Sequence, residues 1–213
     1  RITGAFARWD NIDTYVGGKV IRSGGHGFSG IARRRLLQIL QERCAELVVR
    51  LNFKYEMEGL PQADLVVAAD GINSRVRTAH EDVFQPSIEP GKARFIWLGT
   101  TRRFEAFTFI IREAAGGLFQ VHAYPFDQST STFIVETDPE TWRRAGLDAA
   151  SIDESVAFLE KLFAPELQGH RLMTNKSAWI NFRTISCKTW WHRNMVLIGD
   201  AAHTAHFGIG SGT

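Results

Sequence analysis

The chain is poor in cysteine and proline and has no long apolar run, and each scarcity removes a class of protein. Only Cys44 and Cys187 occur in 213 residues, with no CxxC pair and no metal-ligand spacing. So few thiols cannot staple a secreted scaffold; they fit a reducing compartment, and cytoplasmic residence is the expectation. No apolar stretch approaches the ~20 residues that cross a bilayer. The opening Arg1-Ile2-Thr3-Gly4 lacks the charged-then-apolar pattern of an export signal. A formal net charge of +2 gives no general pull toward nucleic acid or anionic membrane, and neither is expected as a partner. Internal repeats and low-complexity linkers are also missing. What is present is 44% hydrophobic residues, enough for one substantial core or two smaller ones sharing an interface.

Hydrophobic spacing divides the chain. Asp13 to Val16 and Lys19 to Arg22, joined by Gly17-Gly18, read as a hairpin. Leu36, Leu37, Leu40, Cys44 and Leu47 fit one face of a helix that begins after Ile31, with an extended stretch expected from Val48 to Tyr55. The run Asp64 to Asp70 is apolar without alternation, as in a strand of a parallel sheet buried on both faces. Residues 94 to 137 hold four strand-like runs separated by turn signals, an antiparallel pattern. Residues 139 to 164 are helical in spacing, and Met195 to Ile198 is a second buried-strand run ending in Gly199-Asp200. The order is βα units, antiparallel sheet, then a return to the first layer. It implies two interleaved domains, with residues 1–90 and 186–213 in one and 91–185 in the other.

Four constellations can carry chemistry. Gly25-His26-Gly27-Phe28-Ser29-Gly30 matches G-x-G-x-x-G literally, but the approach, Lys19 to Gly24, is short and charged rather than a buried strand, so a glycine-rich loop is the better reading. Arg33, Arg34 and Arg35 stand in the first turn of the next helix, where the positive helix end disfavours cations by about 0.3–1 kcal/mol each. A phosphate would compensate, and for Arg34 and Arg35 solvated charge is an equal alternative. Asp70-Gly71, followed by Ser74 and Arg77, ends a buried strand, the place where ligands sit in open α/β sheets. There Asp70 can hold a sugar hydroxyl or position an arginine on pyrophosphate, and Ser74 can cap a helix; a plain turn is the bland alternative. Gly199-Asp200-Ala201-Ala202-His203, then Gly208, Gly210 and Gly212, ends the second such strand, with a carboxylate for sugar hydroxyls and small residues for a flat cofactor. His203 and His206 lack acidic or cysteine partners beyond Asp200, so no metal is expected.

Together these pieces resemble the group A flavoprotein monooxygenases, the p-hydroxybenzoate hydroxylase-like family. Asp70-Gly71 with Ser74 and Arg77 is similar to that family's second motif, which touches FAD and the pyridine nucleotide. Gly199-Asp200-Ala201-Ala202-His203 with Gly208, Gly210 and Gly212 is similar to its third, whose aspartate meets the ribitol chain. Arg33, with Leu36 and Leu40, matches the family's arginine beside the FAD phosphates. Within the family the likeness is greatest to salicylyl-CoA hydroxylases and 2-aminobenzoyl-CoA monooxygenase/reductases, through Ser23 to Gly30, Phe95 to Thr100, Phe126 to Glu136 and His203 to Phe207. The implied fold is mixed α/β: a Rossmann-like FAD/NAD(P)-binding layer interleaved with an antiparallel substrate-binding sheet, without the family's opening βαβ unit. The chain also departs from the family at Phe207, where a proline is usual.

The resemblance implies hydroxylation of an electron-rich ring, of the 2-hydroxy- or 2-aminobenzoyl-CoA type, by NADH or NADPH and O2 through a flavin hydroperoxide. Trp97, Phe107, Phe109, Phe119, His122, Tyr124 and Phe133 are the aromatic candidates for a substrate wall. Alternation puts Phe119, Val121 and Ala123 on one face and Gln120, His122 and Tyr124 on the other. Either face can meet substrate on this evidence; His122 and Tyr124 are the candidates to polarise the ring substituent, with ordinary packing as the alternative. Arg102, Arg103 and Arg112 are candidates for an acyl-CoA phosphate patch, or simply solvated charges. The rival readings are a flavin-dependent reductase or dehydrogenase on the same fold, and a non-catalytic fragment.

Overall fold

The computed structural model describes residues 2 to 205. The chain opens with short strands β1 (Ala7–Trp9), β2 (Ile12–Val16), β3 (Lys19–Ser23) and β4 (Phe28–Gly30), then helix α1 (Arg33–Glu46). Strand β5 (Val66–Ala68) leads to short helices α2 (Arg75–Ala79) and α3 (Glu81–Phe84). Long strands follow: β6 (Pro86–Thr100), β7 (Phe107–Ala114), β8 (Gly117–Pro125) and β9 (Ser131–Thr137). Helices α4 (Pro139–Arg144), α5 (Ile152–Leu162) and α6 (Ala164–Leu167) precede β10 (Leu172–Met173), β11 (Ile180–Cys187), β12 (Trp191–His192) and β13 (Met195–Leu197). None of these helices is long and apolar enough to cross a membrane.

Two compact units result, one of residues 1–51 and 93–180, the other of residues 52–92 and 181–213. The sequence expectation kept residues 1–90 together. Instead β2 lies parallel to β7, Ile12 opposite Phe107 through Tyr15 opposite Ile110, and this long-range pairing carries the first 51 residues into the sheet unit. No local periodicity announces such a contact, because it joins segments about 95 residues apart.

In the first unit the sheet runs β10-β6-β9-β8-β7-β2-β3. The four strands expected between residues 94 and 137 are all present and antiparallel. Their β-branched and aromatic residues alternate as a pleat requires. One face carries Ile96, Val135, Val121 and Ile110 in a single cross-strand row, all buried. Leu159 of α5, Phe163 between the helices and Leu167 of α6 pack with them in one core. Completely burying an aliphatic or aromatic side chain of this size is worth about 1.5–3 kcal/mol.

The single helix expected over residues 139 to 164 is broken. Asp138 caps α4 through the N–H groups of Glu140 and Thr141; Gly146 turns with φ +72°; and Ser151 with Glu154 forms a capping box that restarts the chain as α5. The extended stretch expected from Val48 to Tyr55 is not a strand. In the second unit β5 and β13 lie parallel, Met195 opposite Val66 and Leu197 opposite Ala68, with β12 antiparallel outside β13. Ala68, Phe84, Cys187, Leu197, Ala201 and Ala202 form its core. Burial of β5 on both faces does not hold among the described residues, since Val67 is 49% exposed.

Candidate functional site

The parallel register of β5 and β13 places two loops side by side. Asp70-Gly71 follows the carboxyl end of one strand and Gly199-Asp200 that of the other, with the Ile198 N–H donating to the Ala68 carbonyl at 3.0 Å just before them. Both glycines are in the left-handed region, Gly71 at φ +78° and Gly199 at φ +56°, and a Cβ on either would meet open space. Glycine stands there because of backbone conformation rather than crowding.

Asp70 and Ser74 share the start of α2. The Asp70 Oδ2 accepts from the N–H groups of Arg75 at 2.8 Å and Val76 at 3.2 Å, and the Ser74 hydroxyl oxygen accepts from the Arg77 N–H at 3.0 Å. Ser74 is therefore the cap that the sequence suggests. Partial burial works against the charge of Asp70, but hydrogen bonds from the Ser74 hydroxyl and the neighbouring N–H groups outweigh it and hold the carboxyl below its usual range. These helix-end donors are already used by the protein itself, so this turn does not offer them as free N–H groups to a phosphate.

Arg77 is the link that spacing alone did not reveal. Its side chain is buried. Nη1 donates to the carbonyls of Ala201 at 2.9 Å and Asp200 at 3.3 Å, and Nη2 to that of Ile72 at 2.6 Å. One guanidinium thus ties the two aspartate loops together. The carboxylate of Asp200 stays exposed on its single 3-10 turn, and Ala201 and Ala202 are buried behind it. His203 is exposed; its ring stacks on Trp190 at 6.3 Å, and the Thr204 hydroxyl anchors the following segment to the Arg183 carbonyl at 2.9 Å. Gly208, Gly210 and Gly212 lie outside the described residues. No group of three metal-ligating side chains occurs among those described.

The first unit holds the remaining candidates. Arg33 opens α1, exposed and at an end without a side-chain cap or an acidic residue. The sheet face opposite the helices carries the row Trp97, Ile134, His122, Phe109 and Thr14. Phe119 and Phe133, included in the sequence-derived wall, point instead into the helix-covered core. On this face Phe109 meets His122 edge-on at 5.0 Å, Phe107 stacks on Tyr124 at 5.3 Å, and Tyr124 stacks on Trp9 at 6.1 Å. The His122 Nε2 lies 2.7 Å from the Gln120 Nε2, so the amide donates and Nε2 accepts. Burial pushes the Tyr124 phenol up, opposed by its hydrogen bond with Thr132. Trp9 and Phe28 had no place in the sequence-derived site. Their one signal is Gly30, where a Cβ would stand 3.0 Å from the Trp9 ring and 3.1 Å from the Pro125 carbonyl oxygen.

Residues 36–213 match the FAD binding domain family. The chain belongs to that family. This FAD-binding chain is 45% identical over 216 residues to the salicyloyl-CoA 5-hydroxylase of a Streptomyces species, covering 96% of the chain and 42% of that protein. It is 38% identical over 205 residues to the 3-hydroxy-4-methyl-anthranilyl-(aryl-carrier protein) 5-monooxygenase of Streptosporangium sibiricum, covering 96% and 55%. The chain therefore spans about half the length of these curated relatives. Its fold is shared with 2-methyl-3-hydroxypyridine-5-carboxylic acid oxygenase at a TM-score of 0.72 and 18% identity, over 99% of this chain and 62% of that one. It is also shared with the Pseudomonas aeruginosa protein PqsL, solved with 2-aminobenzoylacetate, at 0.70 and 17%, over 98% and 64%.

Proposed function

We propose that the protein to which this chain belongs is an FAD-dependent monooxygenase that hydroxylates an electron-rich benzoyl-type ring presented as a thioester, using NADH or NADPH and O2. The observation that carries this reading is the parallel β5–β13 pair, clamped by Arg77, with Gly71 and Gly199 in matching backbone states beside Asp70 and Asp200. Bound FAD would supply the redox and oxygen chemistry.

The residues present suit that group. The exposed Asp200 carboxylate is free to accept hydrogen bonds from ribitol hydroxyls, and the small Ala201 and Ala202 behind the turn let a flat ring system approach. In the first unit, Arg33, exposed at an uncapped helix end, is a candidate to meet a phosphate. Trp97, Phe107, Phe109 and Tyr124 offer stacking surface for the substrate ring. The phenol of Tyr124 stays protonated and can donate to a ring substituent, and Gln120 sets the His122 tautomer, leaving its N–H on Nδ1. The thioester assignment rests on the names of the relatives, whose substrates, a coenzyme A ester and a carrier-protein ester, share a phosphopantetheine arm. Reduced nicotinamide and the two free thiols suit the cytoplasm.

The test supplies purified protein with FAD, reduced nicotinamide, oxygen and salicyloyl- or 2-aminobenzoyl-coenzyme A. A hydroxylated thioester is the expected product. Nicotinamide oxidation that yields only peroxide across the panel overturns the reading in favour of a reductase or dehydrogenase.

A further inference from the structure

Strands β2 and β3 form one antiparallel ribbon, with Ile12 opposite Ser23, and β1 and β4 continue it as a separate two-stranded sheet, with Trp9 opposite Phe28. Between these pairs Asp10 and Asn11 face Gly24 to Gly27, two residues against four. Extra residues on one strand bend a ribbon. The His26 N–H donates to the Asp10 carbonyl at 3.0 Å across the bend, and the Phe107 N–H donates to the Asn11 carbonyl at 3.0 Å, which pins the bend to β7. Gly25 at φ +82° and Gly27 at φ +66° supply the left-handed backbone that the bend uses.

Beyond the bend, the Trp9–Phe28 pair packs on the sheet face opposite the helices. The register of β7 and β8 sets Phe107 beside Tyr124 there, one step past Thr108 opposite Ala123. Four rings close a circuit. Trp9 lies 6.1 Å from Tyr124, Tyr124 5.3 Å from Phe107, Phe107 5.6 Å from Phe28, and Phe28 6.1 Å from Trp9. Trp9 and Phe107 are both nearly parallel to the phenol, at 17° and 16°. Parallel rings at these separations attract, and a ring with two such neighbours cannot tilt without displacing one of them.

Two further observations fix Trp9 in this place. It is 8% exposed, although its strand is short and lies outside the main sheet. Gly30, at the end of the ribbon opposite Ala7, leaves room for the indole, since a Cβ there would stand 3.0 Å from the Trp9 ring and 3.1 Å from the Pro125 carbonyl oxygen. Pro125 is the residue after Tyr124, so indole, glycine and phenol meet at one point. The Tyr124 hydroxyl is held separately, by its hydrogen bond with Thr132 on β9. Stacking therefore sets the plane of the phenol, and the hydrogen bond sets the direction of its oxygen.

We propose that Trp9 is a positioning residue for hydroxylation: carried by the β1–β4 end of the ribbon, its indole holds the Tyr124 phenol in the plane from which the hydroxyl meets the substituent of the substrate ring. Gly30 is the complementary half of the device, because any larger residue there pushes the indole off the phenol. Trp9 acts through Tyr124 and not on the reacting atoms. The inference rests on the monooxygenase reading and extends it to a part of the chain outside the sheet.

The chain has three tyrosines, Tyr15, Tyr55 and Tyr124, so each can be followed by NMR of the purified protein carrying isotope-labelled tyrosine. The ring signals lost in Tyr124→Phe identify Tyr124. In Trp9→Leu those signals should move downfield as the shielding of the indole is removed, while Tyr15 and Tyr55 stay in place and report an intact fold. Gly30→Ala, which displaces the indole without deleting it, should move them the same way, and Trp9→Phe should recover most of the parental position. In turnover of salicyloyl-coenzyme A, Trp9→Leu should lower kcat/KM about tenfold, the worth of the one hydrogen bond that Tyr124 makes. Combined with Tyr124→Phe it should lose no more than either change alone, as expected of two residues that act as one unit. Unmoved Tyr124 signals in both Trp9→Leu and Gly30→Ala, or losses that multiply in the double variant, overturn the positioning role. If no aromatic thioester is hydroxylated, the monooxygenase reading fails separately, and the Tyr124 signals still decide whether Trp9 sets the phenol.

Discussion

Arg77 Nη1 donates to the main-chain oxygen of Ala201 at 2.9 Å, across 124 positions of sequence. With its further bonds to Asp200 and Ile72, this buried side chain makes the two aspartate loops one structure. Arg77→Ala strands three carbonyls, so a loss of about 2–4 kcal/mol is expected in urea unfolding. Arg77→Lys should recover only part of this, since an ammonium lacks the planar fork that reaches both loops. An unchanged unfolding midpoint in Arg77→Ala would refute the clamp.

Asp200 makes the opposite prediction. Its carboxylate is exposed, so Asp200→Ala should alter stability by no more than about 0.5 kcal/mol. It should nevertheless lose the yellow colour of copurifying flavin. Retention of flavin at the wild-type stoichiometry would contradict the role proposed for the third motif.

Backbone state, not space, selects glycine at positions 71 and 199. Gly71→Ala and Gly199→Ala are each expected to cost about 1–2 kcal/mol, the penalty of a left-handed conformation for a residue with a Cβ. Thermal melts of the two variants measure it; a melting temperature equal to the parent's would show that the loops relax freely.

Acid should weaken the molecule through its caps. The Thr141 hydroxyl and N–H hold Asp138 below its usual range, and the Ser151 hydroxyl and N–H do the same for Glu154. Hydrogen bonding does so for Asp70 against the effect of burial. A folded value below the unfolded one means stability that is complete above about pH 4 and lost as pH falls through the lower folded values. Melting temperature should therefore decline below that point, and less steeply in Asp138→Asn. All three groups are largely exposed, so each share is small.

Tyr124→Phe keeps the stack with Phe107 and removes only the hydroxyl. Burial raises the phenol's pKa, so the group is neutral at working pH. The expected result is a melting temperature lowered only by the lost bond to Thr132, worth about 0.5–1.5 kcal/mol, with kcat/KM lowered about tenfold, the worth of one hydrogen bond to the reacting ring. Wild-type kinetics would reduce Tyr124 to packing.

Much of this was legible before any coordinates. Strand-like runs between residues 94 and 137 carry their own period, and the apolar runs ending in Asp70-Gly71 and Gly199-Asp200 mark the loops that the parallel pair brings together. Ser74 announced its cap through side-chain chemistry alone. Other features had no local signal. The parallel pairing of β2 with β7, the three carbonyls around Arg77 and the burial of Glu166 Oε2 without a hydrogen-bond partner all depend on residues far apart in sequence.

The sequence by itself determined most of the strands around the antiparallel sheet and the residue types at the ends of the two parallel strands, because pleat, helical period and capping act over a few neighbouring residues. Only the tertiary structure decided which strands become neighbours, which face of the sheet the helices cover and which charges are left without partners. Those outcomes follow from long-range pairing and burial, where each group's environment is supplied by distant parts of the chain.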